Sequence, residues 1–131
     1  MPGEINLDVL LRSMQPVLHP GEYVFCTLAP GQPAPAGLSP VATFREAEGL
    51  TLVLPTAQAE KAGLAGVYLC RWLTLNVHSS LEAVGFLARI TAHLAAHGIS
   101  VNPVSAFYHD HLFVPAAQAD EVLRLLEELR G

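Results

Sequence analysis

Residues 52–60 read LVLPTAQAE and residues 112–120 read LFVPAAQAD, and this pair decides how the chain is organised. The two segments share Leu, Pro, Ala, Gln and Ala in register, and each reads as a strand, a proline and the start of a helix. A second pair, GEYV at 21–24 and GVYL at 66–69, stands at an offset of 45 rather than 60, each copy opening an apolar run. Two matches with offsets that differ by 15 residues indicate an internal duplication with one length change.

The length change has an identity. In the second copy, residues 81–98 read LEAVGFLARITAHLAAHG, and Leu81, Val84, Leu87, Ala88, Thr91, Leu94 and Ala95 recur at helical spacing, with Gly98 as the stop. In the first copy the same place holds residues 29–40, APGQPAPAGLSP, whose four prolines and two glycines forbid a helix. The expected halves are residues 1–65, with the crossover helix replaced by this loop, and residues 66–131. Strands are expected over 22–28, 41–45 and 50–54 in the first half and over 67–77, 99–105 and 111–114 in the second. Helices are expected over 56–62, 81–97 and 116–130, and Asn6 can cap a short helix carrying Leu7, Leu10, Leu11 and Met14. In the last helix Asp120 and Arg124 stand at i,i+4 spacing for an ion pair.

The chain of 131 residues is long enough to bury about two-thirds of its unfolded surface. Its 51% hydrophobic and 15% charged content is the reverse of a disordered composition. The net charge of -5 and the lack of a Lys/Arg cluster argue against nucleic acid or an anionic membrane as partner. No apolar run approaches the ~20 residues of a membrane span, and the first residues lack a signal-peptide pattern, so a cytoplasmic protein is expected. Cys26 and Cys70 fit no zinc or redox spacing and read as buried thiols.

The β-α-β-β-α order of the second half, with GFLARITAHLAAHGISV at 85–101 followed by YHDHLFVP, resembles the ACT domain, and in particular small stand-alone proteins with two ACT-like halves. The carriers are Gly85 in the first helical turn, the run from Leu87 to Ile99, and Asp110 just before an apolar strand; the likeness covers residues 66–129. It implies an α+β fold of tandem ferredoxin-like halves, with an antiparallel sheet covered by helices on one face. It also implies regulation by a free amino acid held between two such units, in a homodimer or higher homo-oligomer, rather than catalysis or a cofactor. To complete the β-α-β-β-α-β order, either the strand at 67–77 serves both halves or residues 16–19 close the second.

The repeat sets Asp110 where the first copy has Leu50, on the face that must meet the helices, while His109 and His111 point the other way. A carboxylate there needs a partner, since a buried unpaired charge is costly. One reading supplies a ligand's ammonium, with His78, Ser79 and Ser80 offering donors for its carboxylate at a helix N-terminus, and with Gly85 and Asn102 lining the same pocket. The plainer reading makes Asp110 a turn former bonded to nearby amides. A structural or oligomerisation module without ligand is the alternative function. A metal-dependent enzyme using His109 and His111 ranks behind it, because a zinc site needs three or four ligands and two solvated histidines explain the pair as well. His93 and His97 lack the glutamate of a zinc-protease helix, and His78-Ser79-Ser80 gives no triad geometry. Gly85 inside a helix would cost about 1 kcal/mol against Ala, which suggests close approach by another group. Trp72 reads as a core or interface anchor.

Overall fold

The structure is a computed structural model and describes residues 3–131. Its elements follow in the order α1 (Leu7–Ser13), β1 (Gln15–Leu18), β2 (Tyr23–Leu28), β3 (Ala42–Glu46), β4 (Gly49–Pro55), α2 (Thr56–Lys61), β5 (Val67–Asn76), α3 (Phe86–Ala95), β6 (Asn102–Ser105), β7 (Asp110–Pro115), a short 3-10 turn (Ala116–Gln118) and α4 (Ala119–Arg130). Packing divides the chain into a smaller unit, Gly21–Cys70, and a larger one made of the residues up to Pro20 together with Arg71–Gly131. The division falls inside β5. A cut by repeat separates residues 65 and 66, whereas a cut by packing hands the N-terminal helix and strand to the second half.

In the smaller unit β2 pairs antiparallel with β4, from Tyr23 opposite Pro55 to Leu28 opposite Leu50, and β3 pairs antiparallel with β4 on its far side. The other edge of β2 takes the first residues of β5, with a bulge between Tyr23 and Phe25. Opposite this irregularity Tyr68 adopts a φ of 62°, a left-handed backbone rare for an aromatic residue. Cys26, Leu28, Leu52 and Leu54 form the core with Ala59 of α2, and Leu38 from the Pro/Gly loop packs where a crossover helix would otherwise lie.

In the larger unit β1 pairs antiparallel with the end of β5, from Gln15 opposite Asn76 to Leu18 opposite Leu73. β7 lies on the other side of β5, and β6 pairs antiparallel with β7. Both ways of completing the strand order are therefore realised: the start of β5 closes the first half, and β1 closes the second. Leu73 and Leu75 of β5 and Leu112 and Val114 of β7 meet Leu10 and Met14 of α1, Ile90 and Leu94 of α3, and Leu125 and Leu126 of α4 in one core, so three helices cover a single face. Asn6 caps α1 through a 3.0 Å bond to the Val9 amide, as its place before the apolar stripe predicts.

The crossover helix departs from the sequence reading. It begins at Phe86, not Leu81, and buries Phe86, Ile90 and Leu94. Leu81 and Val84 are 66% and 85% exposed. Gly85 is the reason: its φ of 91° is left-handed, which ends the preceding turn and resets the phase of the helix. Gly85 is thus a helix boundary, and the cost of a mid-helix glycine does not arise. Gly98, at φ 72°, ends α3 as expected, with the Ile99 amide bonded back to the Leu94 carbonyl at 3.1 Å. Arg124 pairs with Glu121 and Glu128 instead of Asp120.

This phase shift has a measurable consequence. Ile90→Ala should cost about 2–5 kcal/mol in urea unfolding, whereas Leu81→Ala should stay within about 0.5 kcal/mol. Equal costs would restore the earlier helix start.

Candidate functional site

Asp110 opens β7 on the helix-facing side, in line with Leu112 and Val114, and is only 7% exposed. The repeat therefore places it on the observed face, and within the chain its side chain bonds serine hydroxyls rather than nearby amides. Ser105, directly across the β6–β7 ladder, donates its hydroxyl to Oδ1 at 2.6 Å, and Ser79 donates to Oδ2 at 3.2 Å. An ionised carboxylate offers about four acceptor positions, so roughly half of its capacity is left.

Ser79 is itself positioned by the start of the chain. The Glu4 amide donates to the His78 carbonyl at 2.8 Å and the Ser80 amide to the Glu4 carbonyl at 2.9 Å, forming a parallel bridge across Ser79. Gly3 permits that approach, because a Cβ there would fall 2.5 Å from the Ser79 carbonyl carbon and 2.6 Å from the Ser80 nitrogen. The Ser80 hydroxyl accepts from the Glu82 amide at 3.0 Å and so holds the turn that leads to α3.

At the head of α3, Gly85 supplies no capping side chain, and the first intrahelical bond runs from the Arg89 amide to the Gly85 carbonyl. The amides of Phe86, Leu87 and Ala88 are accordingly without helical partners. These residues, with Ser79, Ser80, Gly85, Ser105 and Asp110, line a cavity of about 120 Å³. One wall carries a carboxylate with spare acceptor positions, and another carries the positive end of a helix. Such a pair suits a small zwitterion.

Of the residues named from sequence, Ser79, Ser80, Gly85 and Asp110 come together at this cavity. His78 stands beside it, its ring 5.1 Å from that of Tyr108. Asn102 pairs with Phe113, three residues before Ser105, and so lies on the opposite face of the sheet. Ser105 and the Gly3–Glu4 clamp are further parts of the site that the local sequence pattern does not mark. The register of a hairpin closing over residues 106–109 would have placed Ser105 opposite Asp110, whereas nothing in the local pattern marks Gly3.

The other face of the sheet holds a second polar cluster. His19 stacks on Trp72 with ring centroids 3.6 Å apart, and its Nε2 lies 2.7 Å from Thr74 Oγ1. His111 Nδ1 accepts the Trp72 indole N–H at 3.1 Å and lies 3.0 Å from the Thr74 hydroxyl. That donor fixes the neutral ring with its proton on Nε2. His109 Nδ1 is 3.1 Å from the Val77 carbonyl. His109 and His111 are therefore half-buried and engaged, not solvated. Among the described residues no three His, Cys, Asp or Glu side chains gather as metal ligands would. Burial holds the His111 pKa below 6.5, with His109 and His19 adding repulsion, and burial likewise lowers His19. Both cysteines are free and buried, and burial pushes the Cys70 thiol up to about 12.

Residues 2–71 and residues 67–128 each match a family model described as ACT domain. The chain belongs to the ACT domain family. Solved structures share its fold. A protein of unknown function from Vibrio cholerae, described as a possible transport protein, is 47% identical, with a TM-score of 0.84 over 95% of this chain and 96% of the other. An Agrobacterium tumefaciens protein is 20% identical, with a TM-score of 0.71 over 89% of each chain. The ligand-free regulatory subunit of aspartate kinase from Thermus thermophilus is 12% identical, with a TM-score of 0.68 over 91% of this chain and 97% of the other. The last two show the tandem ferredoxin-like fold alone. No curated protein matches the chain. ACT domains are regulatory rather than catalytic modules, and no helix among the described residues is long and apolar enough to cross a membrane.

Two measurements follow from this geometry. Asp110→Leu should destabilise the protein by about 1–3 kcal/mol, because it leaves the buried Ser79 hydroxyl without its acceptor; adding Ser79→Ala should recover most of that loss in urea unfolding. For His19 and His111, whose folded pKa values lie below the unfolded 6.5, the unfolded state binds protons more readily. Stability should therefore be full above about pH 6.5 and fall as pH drops through the folded values. The His111→Phe variant should show a shallower fall below pH 6.5.

Proposed function

We propose that this ACT protein is a non-enzymatic regulatory protein that binds a free amino acid in the cavity beside Asp110. The observation that carries the reading is the buried carboxylate with unused acceptor positions, sharing one cavity with uncapped helix amides. The ligand's ammonium would lie on Asp110 and its carboxylate on the amides of Phe86–Ala88. A volume of about 120 Å³ is close to that of four liquid waters, enough for the backbone atoms of an amino acid but not a large side chain. The side chain of the ligand would project past Leu81 at the cavity wall.

Leu81 and Val84, together with Phe107 and Tyr108 of the β6–β7 loop, are exposed large apolar residues in the same unit as the cavity. A second copy of the chain would cover them, so we read the functional state as a homodimer or higher homo-oligomer that binding stabilises by linkage. The halves act as residues 1–65 and 66–131 in this scheme, and the protein works in the cytoplasm. One observation favours the competing reading, a structural module without ligand: both Asp110 oxygens already hold a hydroxyl.

A thermal-shift screen against the twenty common amino acids separates the two. At a hundred times its dissociation constant a ligand adds about 2.7 kcal/mol, a rise of several degrees in melting temperature. Asp110→Asn should abolish that rise while leaving the protein folded. No rise with any amino acid at millimolar concentration would favour the structural module.

A further inference from the structure

The duplication that places Asp110 also creates a second cavity, in the smaller unit, with the opposite chemistry. At an offset of 60, Leu50 stands for Asp110 and Arg45 stands for Ser105. The hairpin register agrees, since Arg45 is paired with Leu50 as Ser105 is with Asp110. Where the larger unit has the turn into α3, the smaller one has the Pro/Gly loop, and a cavity of about 500 Å³ lies between that loop and the β3–β4 hairpin. That volume lies within the ~300–1,000 Å³ typical of small-molecule sites.

Its floor is Leu28 and Leu50, adjacent in the β2–β4 ladder, and its walls include Pro30, Ala34 and Ala47. The loop wall is a pinned turn: the Gln32 amide donates to the Ala29 carbonyl at 2.9 Å, and the Ala29 amide donates to the Gln32 side chain at 2.9 Å. Gly49 closes the far corner at a φ of 151°, where a Cβ would collide with the Leu28 carbonyl. The charge at the rim is Arg45. Unlike Arg124 and Arg130, it makes no ion pair among the described residues. Its neighbour Glu46 lines the same cavity but its carboxylate accepts from the Thr51 hydroxyl at 2.6 Å.

We propose that this cavity is a second ligand site, distinct from the one beside Asp110, which takes a small carboxylate with an apolar body. The apolar part rests on Leu28, Leu50 and Pro30, and the carboxylate meets the planar fork of Arg45.

The test is a nitrogen–proton NMR titration of the full chain with benzoate, and with benzyl alcohol as a neutral counterpart. Benzoate should give saturable shifts at Gly31, Gln32 and residues 45–49, with a dissociation constant on the order of millimolar. Benzyl alcohol, and benzoate with the exposed-site variant Arg45→Gln, should each bind at least about tenfold more weakly. Asp110→Asn should leave benzoate binding unchanged, which keeps this site separable from the amino-acid site. Equal affinity for the alcohol, insensitivity to Arg45→Gln, shifts confined to the surroundings of Asp110, or no saturable shift at tens of millimolar would overturn the proposal.

Discussion

A carboxylate on the helix-facing side of a sheet is the constraint around which the larger unit is organised. Asp110 stands in line with Leu112 and Val114, where burial without partners would cost several kcal/mol or force protonation. Two serine hydroxyls resolve that cost, and each comes with a demand on the chain. Ser105 must sit opposite Asp110, which fixes the β6–β7 register. Ser79 must be brought in from the end of β5, which is the task of the Glu4 bridge and the reason Gly3 carries no side chain. Retaining a charge in a place that the other half fills with Leu50 makes functional sense if something outside the chain uses the remaining acceptor positions.

The two halves show how one duplicated frame can be completed differently. β5 is the last strand of the first half and the first strand of the second, so the junction between repeats is a strand rather than a linker. β1 then fills the closing position in the second half. In the first half the Pro/Gly loop stands in place of a crossover helix: its Leu38 packs on the smaller core, and its residues 29–32 and Ala34 line the cavity rimmed by Arg45.

Much of this was legible in the sequence. The strand–Pro–helix units at 52–60 and 112–120 and the strands that open near 21 and 66 follow from two short self-matches, the remaining elements from apolar spacing and caps, and the helix-facing orientation of Asp110 from its alignment with Leu50. What was not legible depended on backbone conformation or on distant pairing. Gly85 fits a helical stripe by spacing, and only its left-handed φ reveals a boundary, which is why Leu81 and Val84 were assigned to the wrong environment. Asn102 lies early in its strand and so within reach of the pocket by sequence, but only its pairing with Phe113, three residues along from Asp110, shows that it occupies the far face. The His19–Trp72–His111 cluster joins three elements distant in the chain, and no local pattern could have announced it.

Whether Asp110 meets an ammonium group decides the role of the cavity. The most direct measurement is a crystal structure of the protein with whichever amino acid raises its melting temperature most. The expected result places the ligand nitrogen about 3 Å from an Asp110 oxygen, with the ligand carboxylate at the first amides of α3 and both serine hydroxyls still on Asp110. An amino acid seated with its nitrogen elsewhere, or with Asp110 contacting only Ser79 and Ser105, would contradict it.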